Sequence, residues 1–373
     1  MPVQFRYANF DEYPRISHFL AEYWAADHIY VREAKLFDWT YGRKNLWDRD
    51  GYSFALAEEN GETIGILGSI PFQMNRFGQT SPALWLAGYM IRPDYRRGSL
   101  AVQLLNTMRR DPYQATIAFG INPKTSPIYQ VLRWRVLENI PRHFVTMPQA
   151  VDRVAELIHL THTDWSVDRA KALASAFTLP VIDKKIAAAV NDLPDEWDQA
   201  SWARIARTTI GAARNSDYLN WRYRQHPIFD YRFIALNGGL LVWRLETIRR
   251  KTETGEEPFD RIGRAVEFLP ASRENARELL ATFFQHLAEA DAIGADFYGY
   301  HGETRHWLNE NGMLPVESHT DGLAIPARFQ PLDGKSAAIM SSMFITGDVP
   351  ACSDSADCNW CWTKSDGDQD RPN

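Results

Sequence analysis

Between Tyr89 and Ala101 the sequence reads Tyr-Met-Ile-Arg-Pro-Asp-Tyr-Arg-Arg-Gly-Ser-Leu-Ala, and these residue types in this order suit the capture of an anion. An apolar strand ending near Ile91 is broken by Pro93, and Gly98 permits a tight turn. Ser99 stands where a helix N-cap belongs, ahead of Leu100, Leu104 and Leu105. A strand that runs through a basic turn into a helix gathers unpaired helix N–H groups and the positive end of the helix dipole at one point, a fit for a pyrophosphate. Arg96 and Arg97 add charge there. Alone, such a turn serves structure more often than ligand binding, so its meaning depends on the elements around it.

Those elements occur twice. Phe37-Asp38-Trp39-Thr40-Tyr41 leads through a polar turn to the alternating run Tyr52-Ser53-Phe54-Ala55-Leu56-Ala57. Leu219-Asn220-Trp221-Arg222-Tyr223 leads through His226-Pro227 to Tyr231-Arg232-Phe233-Ile234-Ala235-Leu236. The period-two alternation predicts strands. The turns Glu58-Glu59-Asn60-Gly61 and Asn237-Gly238-Gly239 predict hairpins into second strands over 63–68 and 240–245. In the first half a strand over 83–91, a helix over 99–110, a strand over 115–121 and a helix over 126–133 follow. In the second half the same order runs over 264–269, 273–290, 296–300 and 303–311. Each half therefore reads ββ–βα–βα, a mixed sheet closed by a right-handed crossover. The fold class is α+β, with two tandem domains over 1–150 and 216–330. A helical connector punctuated by Pro180 and Pro194 spans 151–215, and 331–373 is a polar tail.

Set in this order of elements, Arg96-Arg97-Gly98-Ser99-Leu100-Ala101 resembles the acyl-CoA-binding motif of the GNAT (Gcn5-related N-acetyltransferase) superfamily, Gln/Arg-x-x-Gly-x-Gly/Ala, with Ser99 in place of the central glycine. The lead-in Ile91-Arg92-Pro93-Asp94-Tyr95 is similar to the family's approach to the motif. The stretch from Phe119 to Trp134 resembles its last strand and helix, with Asn122 and Tyr129 at the family's seven-residue spacing and Arg133-Trp134 where Gly-Phe is usual. The resemblance implies two GNAT-like folds and acyl-CoA as co-substrate. It implies that Met90, Ile91, Arg96, Arg97, Gly98, Ser99, Leu100, Ala101 and Asn122 hold the acyl-CoA, Asn122 on the pantetheine arm. It also implies direct attack of a neutral amine on the thioester, with an oxyanion held by a strand N–H near Met90 or Ile91 and Tyr129 protonating the departing thiolate. A phenol with a pKa near ~10 is a reasonable donor to that thiolate. In the second half Glu267 to Glu274 replaces the basic turn, so that half is expected to keep the fold and to serve the acceptor side of the cleft.

Tandem members with these aromatic lead-ins and a C-terminus like Asp366-Gly367-Asp368-Gln369-Asp370-Arg371-Pro372-Asn373 resemble enzymes of bacterial surface-polysaccharide and lipopolysaccharide pathways. These acylate nucleotide-linked amino-deoxysugars such as dTDP-3-amino-3,6-dideoxyhexoses, and the acyl group would be acetyl or a short hydroxyacyl such as 3-hydroxybutanoyl. A nucleotide sugar wants arginines for its diphosphate, an aromatic for its base and carboxylates for its hydroxyls. Trp221, Arg222, Arg224, Trp360, Asp368 and Arg371 are the candidates. Trp360 and Trp362 argue that the tail folds back on the cleft and closes over the acceptor, so that deleting 360–373 is expected to cost acceptor binding and turnover but not acyl-CoA binding. As general base, Asp27-His28 at the end of the first helix comes first and His301 second. Other classes are a Fem-like aminoacyl ligase, which tends to lack the CoA turn, a GNAT enzyme acting on another small amine or a protein amine, and a non-catalytic binding module.

Composition narrows the field further. The 373 residues carry a formal charge of −6 with 45% hydrophobic residues and 13 Trp, enough for two cores. The densest basic run, Arg249-Arg250-Lys251, is followed by Glu253, Glu256 and Glu257 and reads as a solvated turn, which argues against nucleic acid as a partner. No apolar run approaches the ~20 residues of a membrane span and no signal peptide is apparent, so a cytoplasmic monomer or homodimer is expected. Cys352, Cys358 and Cys361 do not form a disulfide framework or a zinc site. Asp366, Asp368 and Asp370 lack the glutamate of a calcium loop, and no metal is expected.

Overall fold

Alternating apolar residues flanked by glycine-containing turns produce hairpins in equivalent places of both halves. The computed structural model describes residues 2–96, 98–109, 112–121, 123–180, 190–253, 255–300, 302–334, 339–345 and 359–372. The first half runs β1 (Gln4–Tyr7), α1 (Tyr13–Tyr23), α2 (Ile29–Arg32), α3 (Ala34–Tyr41), β2 (Phe54–Glu59), β3 (Glu62–Arg76), β4 (Gln79–Ile91), α4 (Leu100–Met108), β5 (Ala115–Phe119), α5 (Ser126–Val131), β6 (Arg135–Asn139) and β7 (Arg142–Thr146). Helices α6 (Val151–Thr161), α7 (Val167–Ala176) and α8 (Ala203–Ala206) and the short β8 (Ile210–Ala212) come next. The second half runs α9 (Ser216–Leu219), β9 (Arg232–Leu236), β10 (Gly239–Thr252), β11 (Gly255–Leu269), α10 (Arg273–Glu289), β12 (Gly294–Tyr300), α11 (Gly302–Glu310), β13 (Leu314–Pro315), β14 (Arg328–Phe329) and β15 (Leu332–Asp333), and the chain closes with β16 (Met340–Ile345) and β17 (Trp360–Thr363).

The two halves repeat in detail. β2–β3–β4 and β9–β10–β11 are antiparallel, and in each half the last of the three is joined through a helix to a parallel strand, β5 or β12. Each also carries a bulge at the same place. Gly88 and Tyr89 of β4 stand opposite the single residue Leu67, and β11 has the extra residue Val266 between the pairs Val242–Glu267 and Trp243–Ala265. The strands are longer than the local pattern suggests, because β3 and β10 run on into wide hairpins. Arg249-Arg250-Lys251 accordingly lies in β10, not in a turn: Arg250 and Lys251 stand opposite Glu257 and Glu256 of β11. Opposite charges across a ladder favour that register.

The halves exchange strands. β16, from the C-terminal stretch, enters between β5 and β6 and pairs antiparallel with both. β7, directly after β6, leaves the first sheet and pairs antiparallel with β12 in the second. A continuous sheet results, in which β3, β8, β17 and β12 are successive neighbours.

The chain after Pro331 is therefore core structure as well as a tail. Trp360 and Trp362 are fully buried, and so are Ser365 and Asp366. Arg214, itself 0% exposed, donates from Nη2 to Asp366 at 2.6 Å and from Nε to Glu267 at 3.1 Å. The Tyr218 hydroxyl adds a bond to Asp366 at 3.0 Å. Asp370 accepts from Tyr231 at 2.6 Å and from Arg244 at 2.8 Å. A buried carboxylate needs such partners to remain charged. Each of these aspartates faces its own cation, and among the described residues no group of three potential ligands is placed to hold a metal.

Candidate active site

β4 and β5 pair only from Ala83 to Leu86. Beyond that point the β5-facing edge of β4, through the bulge to Ile91, has no strand partner among the described residues, and an unpaired strand edge presents N–H groups that a ligand can satisfy. The turn that follows is braced by acidic partners. Arg92 bonds Asp94 at 2.7 Å and Glu62 at 3.0 Å, and the Tyr95 hydroxyl donates to Glu59 at 2.5 Å. Arg96 folds back, its Nε donating to the Ile91 carbonyl at 3.0 Å. Gly98 has φ of +126°, which a side chain would strain. Ser99 occupies the N-cap position of α4 but does not cap it. Its hydroxyl accepts from Gln103 Nε2 at 2.8 Å, so the first N–H groups of α4 are left for an anion.

A cavity of about 430 Å³ opens beside this turn, lined by Tyr89, Met90, Ile91, Arg96, Ala101, Leu105, Thr125, Ile128 and Tyr129. The structure thus gathers Met90, Ile91, Arg96, Ala101 and Tyr129 at one place, while Gly98, Ser99 and Leu100 lie in the chain between Arg96 and Ala101 and are not part of its lining. Arg97 and Asn122 lie outside the described residues, as does His301. Tyr129, on α5, is 5% exposed and packs edge-on against Trp134, and burial raises its phenol to about 12. It is therefore fully protonated at neutral pH, as a proton donor must be. Tyr89 is a member of this site that the motif did not identify. Burial and the neighbouring Tyr129 raise its pKa, and its hydroxyl has no hydrogen-bond partner among the described residues. Its place in the bulge is the signal that could have marked it.

The second half has the same opening, filled by its own chain. β11 and β12 pair only from Gly263 to Ala265, and past that point Ser365 donates to the Val266 carbonyl at 3.4 Å while Arg214 and Tyr223 bind Glu267. Through Arg214 and Tyr223, which also bind Asp366 and Ser365, Glu267 is linked to the tail.

The same tail continues to the first half. Gln369 Nε2 donates to the Phe119 carbonyl at 3.4 Å, and a Cβ on Gly120, whose φ is +65°, would come within 2.5 Å of Gln369. Asp368 is ion-paired with Arg371, and both carry charge near His28, whose pKa is lowered to about 4, first by burial and then by Arg371. His28 caps α2, its Nδ1 accepting from the Tyr30 N–H at 3.2 Å, while Nε2 is buried without a partner among the described residues. It stands at the start of α2, not at the end of the first helix, and the adjacent Asp27 is exposed. His28 and the Asp368–Arg371 pair, far apart in the sequence, thus meet in space.

Four other acceptor candidates are placed differently. Trp221 has Trp39 stacked on it at 4.8 Å and Arg43 over its ring at 3.6 Å, leaving no free face for a nucleobase. Trp360 is 0% exposed and stacks on Trp362. Arg222 is buried at 3% exposure beneath Trp39 and Trp221, and Arg224 is taken by Asp192. Trp221 and Arg222 of this lead-in are packed into the joint between the halves, although Arg222 Nε and Nη2 have no hydrogen-bond partner among the described residues.

Residues 4–136 match the family described as the acetyltransferase (GNAT) domain. That segment carries a GNAT-type acetyltransferase domain. Solved structures extend the likeness of fold to both halves. N-myristoyltransferase of Saccharomyces cerevisiae with bound myristoyl-CoA is 11% identical with a TM-score of 0.55, the match covering 96% of this chain and 84% of that one. A GCN5-related N-acetyltransferase from Kribbella flavida is 11% identical at 0.52, covering 92% and 72%. One from Anabaena variabilis is 13% identical at 0.51, covering 93% and 73%. No curated protein sequence matches the chain.

Proposed function

We propose that the protein transfers an acetyl or short hydroxyacyl group from acyl-CoA to the amine of a nucleotide-linked amino-deoxysugar, such as a dTDP-3-amino-3,6-dideoxyhexose. In this reading residues 1–150 bind the acyl-CoA, and residues 216–330 with the tail of 331–373 form the acceptor side. The supporting observation is the meeting of Asp368, Gln369 and Arg371 with His28 and the end of β5, which puts a polar, charged surface at the end of the strand that neighbours β4. A small polyhydroxylated substrate with an anionic group suits such a surface.

The chemistry follows from the groups present. The amine attacks the thioester carbonyl, forming the C–N bond. The oxyanion is met by a free N–H on the bulged edge of β4. Collapse breaks the C–S bond, and Tyr129 gives its proton to the CoA thiolate. His28 is neutral at pH 7 and, with its pKa near 4, is a weak acceptor for the amine proton. Asp368, close to it in the tail, is the carboxylate placed to orient the amine. An amine that is partly neutral at working pH needs no stronger base.

The test is thiol release from acetyl-CoA and 3-hydroxybutanoyl-CoA in the presence of a panel of nucleotide-linked amino sugars, with mass spectrometry of the products. Acylation of a nucleotide-linked amino sugar is the expected result. Turnover confined to free amines or to protein amines would assign a different acceptor.

A further inference from the structure

Apart from the acyl-CoA opening, the second half and the tail enclose a cavity of about 380 Å³ whose charged lining includes Arg244, Arg264, Arg328, Lys364, Arg371, Glu246, Asp333 and Asp370. Most of these charges are already committed. Arg244 is held by Glu246 and Asp370, both at 2.8 Å, Arg264 by Glu246 at 3.0 Å and Asp296 at 2.9 Å, and Arg371 by Asp368. Two cations are left over. Lys364 directs its ammonium over the Tyr298 ring, 5.0 Å from the centroid, and makes no ion pair among the described residues. Arg328 stands opposite Asp333 on the β14–β15 hairpin and likewise forms no ion pair among the described residues.

We propose that this cavity binds the diphosphate of the acceptor, with Lys364 and Arg328 as its two free cations and the paired Arg244 and Arg264 as a fixed positive floor. The proposal rests on the reading of the acceptor as a nucleotide-linked sugar. Two uncommitted cations match the two charges of a diphosphodiester, and guanidinium groups already locked by carboxylates lose little freedom on binding. Gln369 and Arg371 line the cavity as well, and Gln369 touches Phe119 at the end of β5. A diphosphate held here therefore lies on the path that brings the sugar toward the acyl group. Burial lowers the Lys364 ammonium to about 8 despite Asp296, Asp370 and Glu246, with Arg264 adding to the depression, and an arriving anion restores its charge.

The experiment uses the full chain saturated with CoA, so that the turn before α4 is occupied, and titrates inorganic pyrophosphate and dTDP into wild type, Arg328→Ala and Lys364→Met. Arg328 is exposed, so its variant folds even where the buried lysine's does not. A rise in Kd of about tenfold or more in either folded variant, with CoA affinity unchanged, is expected. In wild type the affinity should also weaken as pH rises through 8. Wild-type affinity in both variants, or no binding to wild type, overturns the assignment. Turnover of a nucleotide-linked amino sugar with unchanged KM in the variants overturns the cavity and leaves the acceptor standing. Loss of pyrophosphate binding in the variants without turnover of any such sugar sustains the anion site and rejects the acceptor.

Discussion

Trp39 and Trp221 stack nearly parallel, centroids 4.8 Å apart and planes inclined by 17°, and Trp39 Nε1 donates to the Trp221 carbonyl at 3.2 Å. The two tryptophans are the same residue of the two repeats, so the duplication docks on itself through its own lead-in. Trp221→Ala should cost about 2–4 kcal/mol, less than a fully buried tryptophan. A double-mutant cycle with Trp39→Ala should return a coupling of about 0.5–1.5 kcal/mol in urea denaturation. The acceptor KM of folded Trp221→Ala should equal that of wild type. A selective rise in that KM would restore Trp221 to the acceptor site.

Tyr129→Phe removes one hydroxyl from a packed ring. kcat should fall by ~10²–10⁴ with the melting temperature held. Because burial raises this phenol to about 12, kcat should show no fall from Tyr129 ionisation between pH 7 and 10. A variant with most of its kcat would make Tyr129 a packing residue.

Arg96 lines the cavity beside the turn into α4, its Nε bonded to the Ile91 carbonyl, with Gly98 forming the turn at φ +126°. Arg96→Ala should raise the acyl-CoA KM by an amount worth ~1.5–3 kcal/mol and leave the acceptor KM alone. Equal changes in both constants would argue for a structural role.

Asp366 is fully buried between Arg214 and Tyr218. Asp366→Ala leaves a buried guanidinium short of one carboxylate, and unfolding free energy should drop by about 3–5 kcal/mol. Deleting residues 360–373 should give a chain that fails to fold cooperatively, measured by circular dichroism and thermal melting. The tail therefore cannot be cut away with acyl-CoA binding intact, as a mere lid could. A truncated protein that melts like wild type and binds CoA would reverse this.

The ββ–βα–βα order was legible because its signals are local: alternation in Phe54-Ala55-Leu56-Ala57, glycine turns at Gly61 and Gly238, and helical spacing after Ser99 and Ser272. Met90, Ile91, Arg96 and Tyr129 were found together because one strand, one turn and one helix position them. Nothing local marks Met340–Ile345 as the neighbour of Ala115–Phe119, since that pairing closes a loop of more than two hundred residues. Nor does Asp366 announce that its partner is Arg214. Trp221 and Trp360 show a related limit. An aromatic beside arginines looks the same in a ligand cleft and in a joint, and only the face already occupied tells them apart.

The exchange of β7 and β16 has a consequence for the life of the chain. A ribosome releases β5 and β6 long before it has made Met340–Ile345, so the first sheet waits with a gap between them until that strand emerges. During that interval two strand edges stand open and invite pairing with a neighbouring nascent chain. A chain that stops before Met340 never closes its first sheet, so the sheet that carries Tyr89 to Ile91 depends on a strand made more than two hundred residues later.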